Sequence, residues 1–188
     1  MTAYRRSSVP GGTYFFTVNL ADRRRALLTE NIESLRAAFR YARHQHPFTI
    51  DAIVVLPDHL HTIWTMPDCD SDFGVRWTLI KGGFSRRLPG GEPVSDSRLR
   101  RRERGIWQRR YWEHTIRDGE DWARHVEYIH FNPVKHGYAK HPGAWPYSSF
   151  HRMVRLGFYP ADWAGNSAPA EGAFGERWAT TFTTMPNS

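Results

Sequence analysis

Two apolar, β-branched runs flank a single Pro57-Asp58 turn, Phe48 to Leu56 before it and His59 to about Met66 after it, which commits the middle of the chain to a β-hairpin. The returning limb, His59-Leu60-His61-Thr62-Ile63-Trp64, carries a second constraint. Strand side chains alternate faces, so His59 and His61 point one way and Leu60 the other. Adjacent imidazoles with their lone pairs turned together can grip one metal ion. The competing reading is two partly buried histidines that have each found a hydrogen bond.

The remaining segments place the hairpin in a fold. Thr13 to Leu20 follows a Pro-Gly-Gly turn and is rich in aromatic and β-branched residues, so it reads as a first strand. From about Glu30 to His46, Ile32, Leu35, Phe39 and Ala42 recur at helical spacing before Pro47. A second helix is expected over Phe73 to Leu88, weakened by Gly82-Gly83. Ile106 to Arg117 reads as a fourth strand, and Asp118 caps a third helix expected to end at Asn132-Pro133. Strand, helix, strand, strand, helix, strand is the split βαβ plan. The expected fold is therefore α+β, ferredoxin-like (RRM-like): a four-stranded antiparallel sheet with helices on one face, plus an extra C-terminal helix. Residues 1–165 are expected to form one domain, and the Ala-, Gly-, Ser-, Thr- and Pro-rich stretch 166–188 a flexible tail.

Charge narrows the partners. Lysine and arginine number 26 against 19 acidic residues, a net charge of +7, and arginine predominates. Arginine forks match phosphate oxygens and stack on bases, and eight tryptophans with eight tyrosines offer further stacking surfaces. The run Arg98 to Arg104 reads as a mobile solvated loop, or as a backbone contact if it borders a phosphate site. One cysteine, Cys69, excludes an internal disulfide and has no partner at zinc-site spacing. Without a signal peptide or a bilayer-length apolar run, the chain is expected to be soluble and intracellular, with no membrane partner.

On the third helix Trp122, Val126 and Ile129 form the expected core stripe, and Asp121, His125, Tyr128 and Asn132 a second stripe about a quarter-turn away. Tyr128 thus falls off the apolar face, with Asn132 one turn beyond it. By helix geometry alone the favoured reading is a boundary tyrosine and a residue closing a helix before proline. His125 is a candidate base for the phenol, or a surface histidine.

Val126-Glu127-Tyr128-Ile129-His130-Phe131-Asn132-Pro133-Val134, together with Pro57-Asp58-His59-Leu60-His61 and Trp145-Pro146-Tyr147-Ser148-Ser149-Phe150, closely resembles the REP-associated tyrosine transposases, the stand-alone bacterial branch of the IS200-like, single-tyrosine HUH transposases. The likeness runs from about Tyr4 to Phe150, with three motifs in the right order. It implies a metal-dependent endonuclease and strand transferase that acts on single-stranded DNA at REP-like palindromic hairpins through a covalent 5′-phosphotyrosine. By position, His59 and His61 match the paired metal histidines, Tyr128 the nucleophile and Asn132 the polar ligand after it, with Mg²⁺ or Mn²⁺ as cofactor. A phenol, with an unperturbed pKa of about 10, attacks phosphate poorly unless developing charge is offset, which is the task the metal would take. Asp58 stands where the family often has asparagine, a departure expected to touch only the turn. The hairpin substrate suggests Arg86, Arg87, Arg109 and Arg110 for phosphates and Trp112 for stacking a base. The resemblance also implies a cytoplasmic, nucleoid-associated protein, a monomer in preference to a homodimer that exchanges the tyrosine helix. Two other functions fit the residues: a non-catalytic single-stranded nucleic-acid binder on an RRM-like sheet, and a metal hydrolase in which Tyr128 is structural.

Overall fold

The computed structural model describes residues 9–92, 94–165 and 174. Strand β1 spans Thr13–Asn19, followed by a one-turn helix α1 (Leu27–Glu30) and α2 (Ile32–Gln45). The hairpin comes next as β2 (Thr49–Val55) and β3 (His59–Thr65), then α3 (Phe73–Arg87), a short α4 (Asp96–Arg100), β4 (Trp112–Thr115), α5 (Gly119–Lys135) and α6 (Phe150–Arg155). The sheet order is β2-β3-β1-β4, with every pair antiparallel. This is the expected α+β, four-stranded architecture. No helix among the described residues is long and apolar enough to cross a membrane.

Strand alternation builds two cores. Tyr14, Phe16 and Val18 of β1, with Leu60 and Trp64 of β3, face α2 and α3, where Trp64 stacks on Trp77 at 4.2 Å between centroids. Phe15 and Ile63 face the opposite way, into a second core closed by Val126, Tyr128 and Ile129 of α5. The extra helix therefore lies across the sheet face that α2 and α3 leave open. Both long helices after the hairpin start on an aspartate whose carboxylate accepts an N–H of the first turn, Asp72 from Val75 (3.0 Å) and Asp118 from Asp121 (2.8 Å).

The Trp145–Phe150 motif is a staple. The outer edge of β2 would be an open template, but Val55 N–H donates to Tyr147 O (2.9 Å) and Ser149 N–H to Ile53 O (2.8 Å). Ser149 Oγ also accepts the Ile53 N–H (2.9 Å) and bonds His130 Nε2 (2.9 Å), tying the strand edge to α5. Burial holds His130 neutral, its pKa pushed down to about 3.

Several expectations are corrected. The fourth strand is confined to Trp112–Thr115, because Trp107 makes only an isolated bridge to Leu20. The arginine run is not a freely solvated loop: Arg98 to Arg100 end α4, Arg98 donates to Trp107 O (3.2 Å), and Arg104 binds Leu88 O (2.8 Å) and Glu92. Helix α5 does not stop at Asn132 but carries Pro133 inside it and runs to Lys135, with His136 N–H donating to Asn132 O (3.0 Å). The expected tail, 166–188, lies outside the described residues except for Phe174.

Helix α3 also survives its two glycines. A Cβ on Gly83 would meet the Ala38 Cβ at 3.4 Å, so glycine there lets α2 and α3 approach closely, whereas a Cβ on Gly82 would meet only the mobile end of Arg86 at 3.2 Å. Gly82→Ala is expected to raise stability by about 0.5–1 kcal/mol by removing backbone freedom from the unfolded chain. Gly83→Ala should gain less, because its Cβ would lie 3.3 Å from Arg87 Nη1 and also against Ala38 of α2, where there is less room to adjust. Thermal unfolding of the two variants checks the order, and a Gly83→Ala gain equal to that of Gly82→Ala would contradict the close-packing account.

Candidate active site

The β1–β3 register seats Thr17 beside His61 and Asn19 beside His59 on the face that α5 covers. Both histidines are buried, and their rings lie 5.0 Å apart, nearly perpendicular. Their protonation follows from their partners. Thr17 has one hydroxyl proton and gives it to Phe174 O (2.8 Å), so at 2.9 Å it accepts from His61 Nδ1. His59 Nδ1 lies 2.7 Å from Asp58 Oδ1, whose other oxygen takes the Arg23 Nε–H at 2.6 Å. Burial raises the Asp58 carboxyl, but the hydrogen bonds from His59 and Arg23 and the charge of the guanidinium outweigh it and hold the group below the usual carboxylate range. An ionised carboxylate can only accept, so at 2.7 Å His59 donates to it, and the Arg23 Nη2 contact to the same nitrogen, longer at 3.2 Å, then sets two donors face to face and is no hydrogen bond. Each ring is therefore the Nδ1–H tautomer with its lone pair on Nε2, the form in which histidine ligates a metal. Asp58, expected to matter only to the turn, instead orients the dyad.

Helix α5 packs against β2 and β3 and carries Tyr128 onto the same face. Tyr128 is 1 % exposed, its ring 5.2 Å from that of His61 in the same chain and stacked on Phe174 at 3.9 Å. Tyr128 thus belongs to the second core, not to a boundary off the apolar face. The whole stripe of Asp121, His125, Tyr128 and Asn132 is buried, whereas Trp122, expected in the core stripe, is only partly so. Asn132, 0 % exposed, sits one turn past Tyr128 on that inward side. Lys135 donates from Nζ to Tyr128 Oη at 3.4 Å and lies 4.8 Å from the ring centroid. His136, just beyond the helix, puts its ring 5.1 Å from His59.

The chain that carries this arrangement is similar to known proteins over most of its length. A REP-associated tyrosine transposase of Escherichia coli K12 is 47 % identical over 166 residues, covering 88 % of this chain and 93 % of that one. A Haemophilus influenzae Rd protein assigned to the same group is 46 % identical over 167 residues, again 88 % of this chain and 95 % of its own. The solved structure of a REP-associated tyrosine transposase bound to a REP hairpin superposes with a TM-score of 0.81 at 44 % identity, covering 95 % of this chain and all of that one. No family model matches the chain.

The chain belongs to the REP-associated tyrosine transposases.

For a REP-associated tyrosine transposase, the positions expected to meet DNA fall into two regions. Trp112 shares the site face, paired with Thr17 and edge-on to Phe15 at 5.7 Å between centroids. Arg86 and Arg109 instead line a basic groove of about 590 Å³ with Lys81, Arg98, Arg101 and Arg102, between α3 and the segment after α4. Arg110 is exposed, and Arg87 is also exposed but donates to Gly83 O of its own helix at 2.7 Å. Reading from the sequence missed Thr17, Arg23, Lys135 and His136; only the acid next to His59 was a local signal for an orienting partner.

His114, Asp121 and His125 form a further group whose ligand atoms all lie within 4.8 Å of one another. Asp121 is already saturated, accepting from His114 Nε2 (2.8 Å), Arg117 N and Nε (3.1 Å each) and Arg124 Nη2 (2.8 Å). His125 Nδ1 bonds the Asp121 carbonyl at 2.7 Å, and burial lowers its pKa. The cluster therefore reads as a hydrogen-bonded brace that fixes the start of α5 against β4. Burial pushes the Asp121 carboxyl up, but His114, Arg117 and Arg124 pull it well below the usual range. Such a group stabilises the fold above its unfolded value of 3.8 and loses that contribution as pH falls from there toward its lower folded value. Asp121→Asn is expected to cost about 2–3 kcal/mol at pH 7 and to flatten the acid limb of the stability curve below about pH 4. An unchanged melting temperature at pH 7 would contradict the brace.

Proposed function

We propose that the chain cleaves and rejoins single-stranded DNA at REP-like palindromic hairpins through a 5′-phosphotyrosine on Tyr128, with a divalent cation held by His59, His61 and Asn132. The observation that carries this reading is the Tyr128 ring 5.2 Å from His61, on the face that His61 shares with His59. Two imidazole nitrogens and one amide oxygen suit Mn²⁺ by donor type, and Mg²⁺ accepts the same set less readily. When bound, the cation supplies Lewis-acid polarisation of a phosphate oxygen and a template for the scissile bond.

The protein's own groups do the rest. Asp58 and Thr17 hydrogen-bond the two rings at Nδ1 and fix their orientation. Tyr128 Oη attacks phosphorus, the bond to O3′ breaks, and a phosphotyrosine ester with a free 3′-OH results. The ester is exchanged and not hydrolysed, so the reverse attack rejoins strands without ATP. Nucleophile and dyad come from one chain, which supports action as a monomer without helix exchange. Burial of Phe15, His61 and Tyr128 beneath α5 counts against an RRM-like binder, which needs that sheet face open for stacking bases. The basic groove is the surface best suited to the hairpin's phosphates, and a DNA substrate would put the protein at the nucleoid.

The decisive experiment incubates the protein with hairpin-bearing single-stranded DNA and Mn²⁺ or Mg²⁺ and resolves products under denaturing conditions. A protein–DNA adduct is expected, lost on chelation and abolished in Tyr128→Phe with hairpin affinity within about threefold of wild type. Cleavage that persists in Tyr128→Phe would instead mean activated water. Charge reversal at Arg86 and Arg101 is expected to weaken hairpin binding at least about tenfold at physiological salt and to shallow its salt dependence. An unchanged salt slope would remove the groove from the interface.

A further inference from the structure

We propose that Lys135 is a catalytic residue: its ammonium stabilises the negative charge that develops on the Tyr128 oxygen. The proposal rests on the phosphotyrosine reading and adds to it the partner of the attacking atom. Lys135 Nζ donates to Tyr128 Oη at 3.4 Å and lies 4.8 Å from the ring centroid, so it meets both the oxygen and the π-face of one phenol. That placement exists only because α5 runs through Pro133, which puts Lys135 seven residues, about two turns, after Tyr128 on the same side. The titratable groups packed near the phenol are His61 from β3 and, one turn earlier on α5, His125; the aromatic neighbours Phe15 and Phe174 are neutral. His61 directs its Nδ1–H to Thr17, and His125 Nδ1 is bonded to the Asp121 carbonyl. Among the described residues, Lys135 is thus a cation whose donor already reaches Oη.

The chemistry assigns Lys135 an electrostatic role and not that of a base. An ammonium has no lone pair to take the phenol's proton, which passes to solvent water as the P–Oη bond forms. The P–O3′ bond breaks in the same displacement, and O3′ takes a proton from water, so protons and charge balance. During rejoining, Oη is the leaving group, and the same ammonium meets the phenolate as it departs. One fixed cation therefore assists both directions, as an exchange reaction without external energy requires.

The test measures the rate of covalent adduct formation at saturating hairpin DNA and Mn²⁺, over a range of pH, in wild type, Lys135→Met and Lys135→Arg. Lys135→Met is expected to slow adduct formation by about 10²-fold, as loss of one oxyanion donor does. Its rate should keep rising to higher pH than that of wild type, and Lys135→Arg should recover most of the loss. Thermal unfolding and hairpin affinity, measured on each variant, separate chemistry from folding and anchoring. A Lys135→Met rate and pH profile equal to wild type, or a deficit that vanishes at saturating DNA, overturns the proposal while leaving the phosphotyrosine reading intact. Absence of any adduct in wild type overturns both.

Discussion

The antiparallel pairing of β1 with β3 is the constraint on which the site depends. It sets Thr17 against His61 and Asn19 against His59, and the two-residue period of the strands sends both histidines away from the core under α2 and α3. A slip of one residue would turn His59 and His61 into that core and bring Leu60 to the site face. The register is held by what the slip would cost: Phe16 and Trp64 pack against Trp77, and each would have to leave that contact. Apolar packing on one face of the sheet thus fixes the position of metal-competent side chains on the other.

Helix α5 encloses that face. In a ferredoxin-like sheet with helices on one side only, the second face would be open, and His61 and Phe15 would stand in water. With α5 across it, the same residues are buried, and every charge near them acts in a medium less polarisable than water. Two braces set the helix in place, the Asp121 network at its start and the Ser149–His130–Ile53 bonds near its middle. Both lie within three turns of Tyr128 and so limit how far the phenol can shift.

Local pattern made the hairpin, the two histidines on one face and the stripe of Asp121, His125, Tyr128 and Asn132 legible in the sequence, because periods of two and of 3.6 residues need no knowledge of tertiary structure. Which way the stripe faced did not follow. Tyr128 looked like a boundary residue because Trp122, Val126 and Ile129 formed the more apolar row, whereas the site needs its polar row turned inward. Proline was read as a terminator at Pro133, and that reading cut Lys135 away from the helix and His136 from its C-terminal cap. Thr17 was unreadable for another reason: its partner lies 44 positions away, and register between distant strands is a property of the assembled sheet.

Asp58 shows how a turn residue becomes part of the chemistry. Its carboxylate accepts from His59 and Arg23 at once, and ionisation at any pH near neutrality makes it an obligate acceptor. An asparagine there would present an amide that can rotate, accepting from His59 with its oxygen or donating with its nitrogen, and only the first arrangement leaves the lone pair on Nε2. The carboxylate removes that ambiguity and makes the imidazole a stronger donor toward a cation. Arg23 then spreads the buried negative charge, so a fixed acid beside the dyad does not have to be neutralised by a proton. An aspartate at this turn thus strengthens the electrostatics of the site and does more than shape the bend that precedes it.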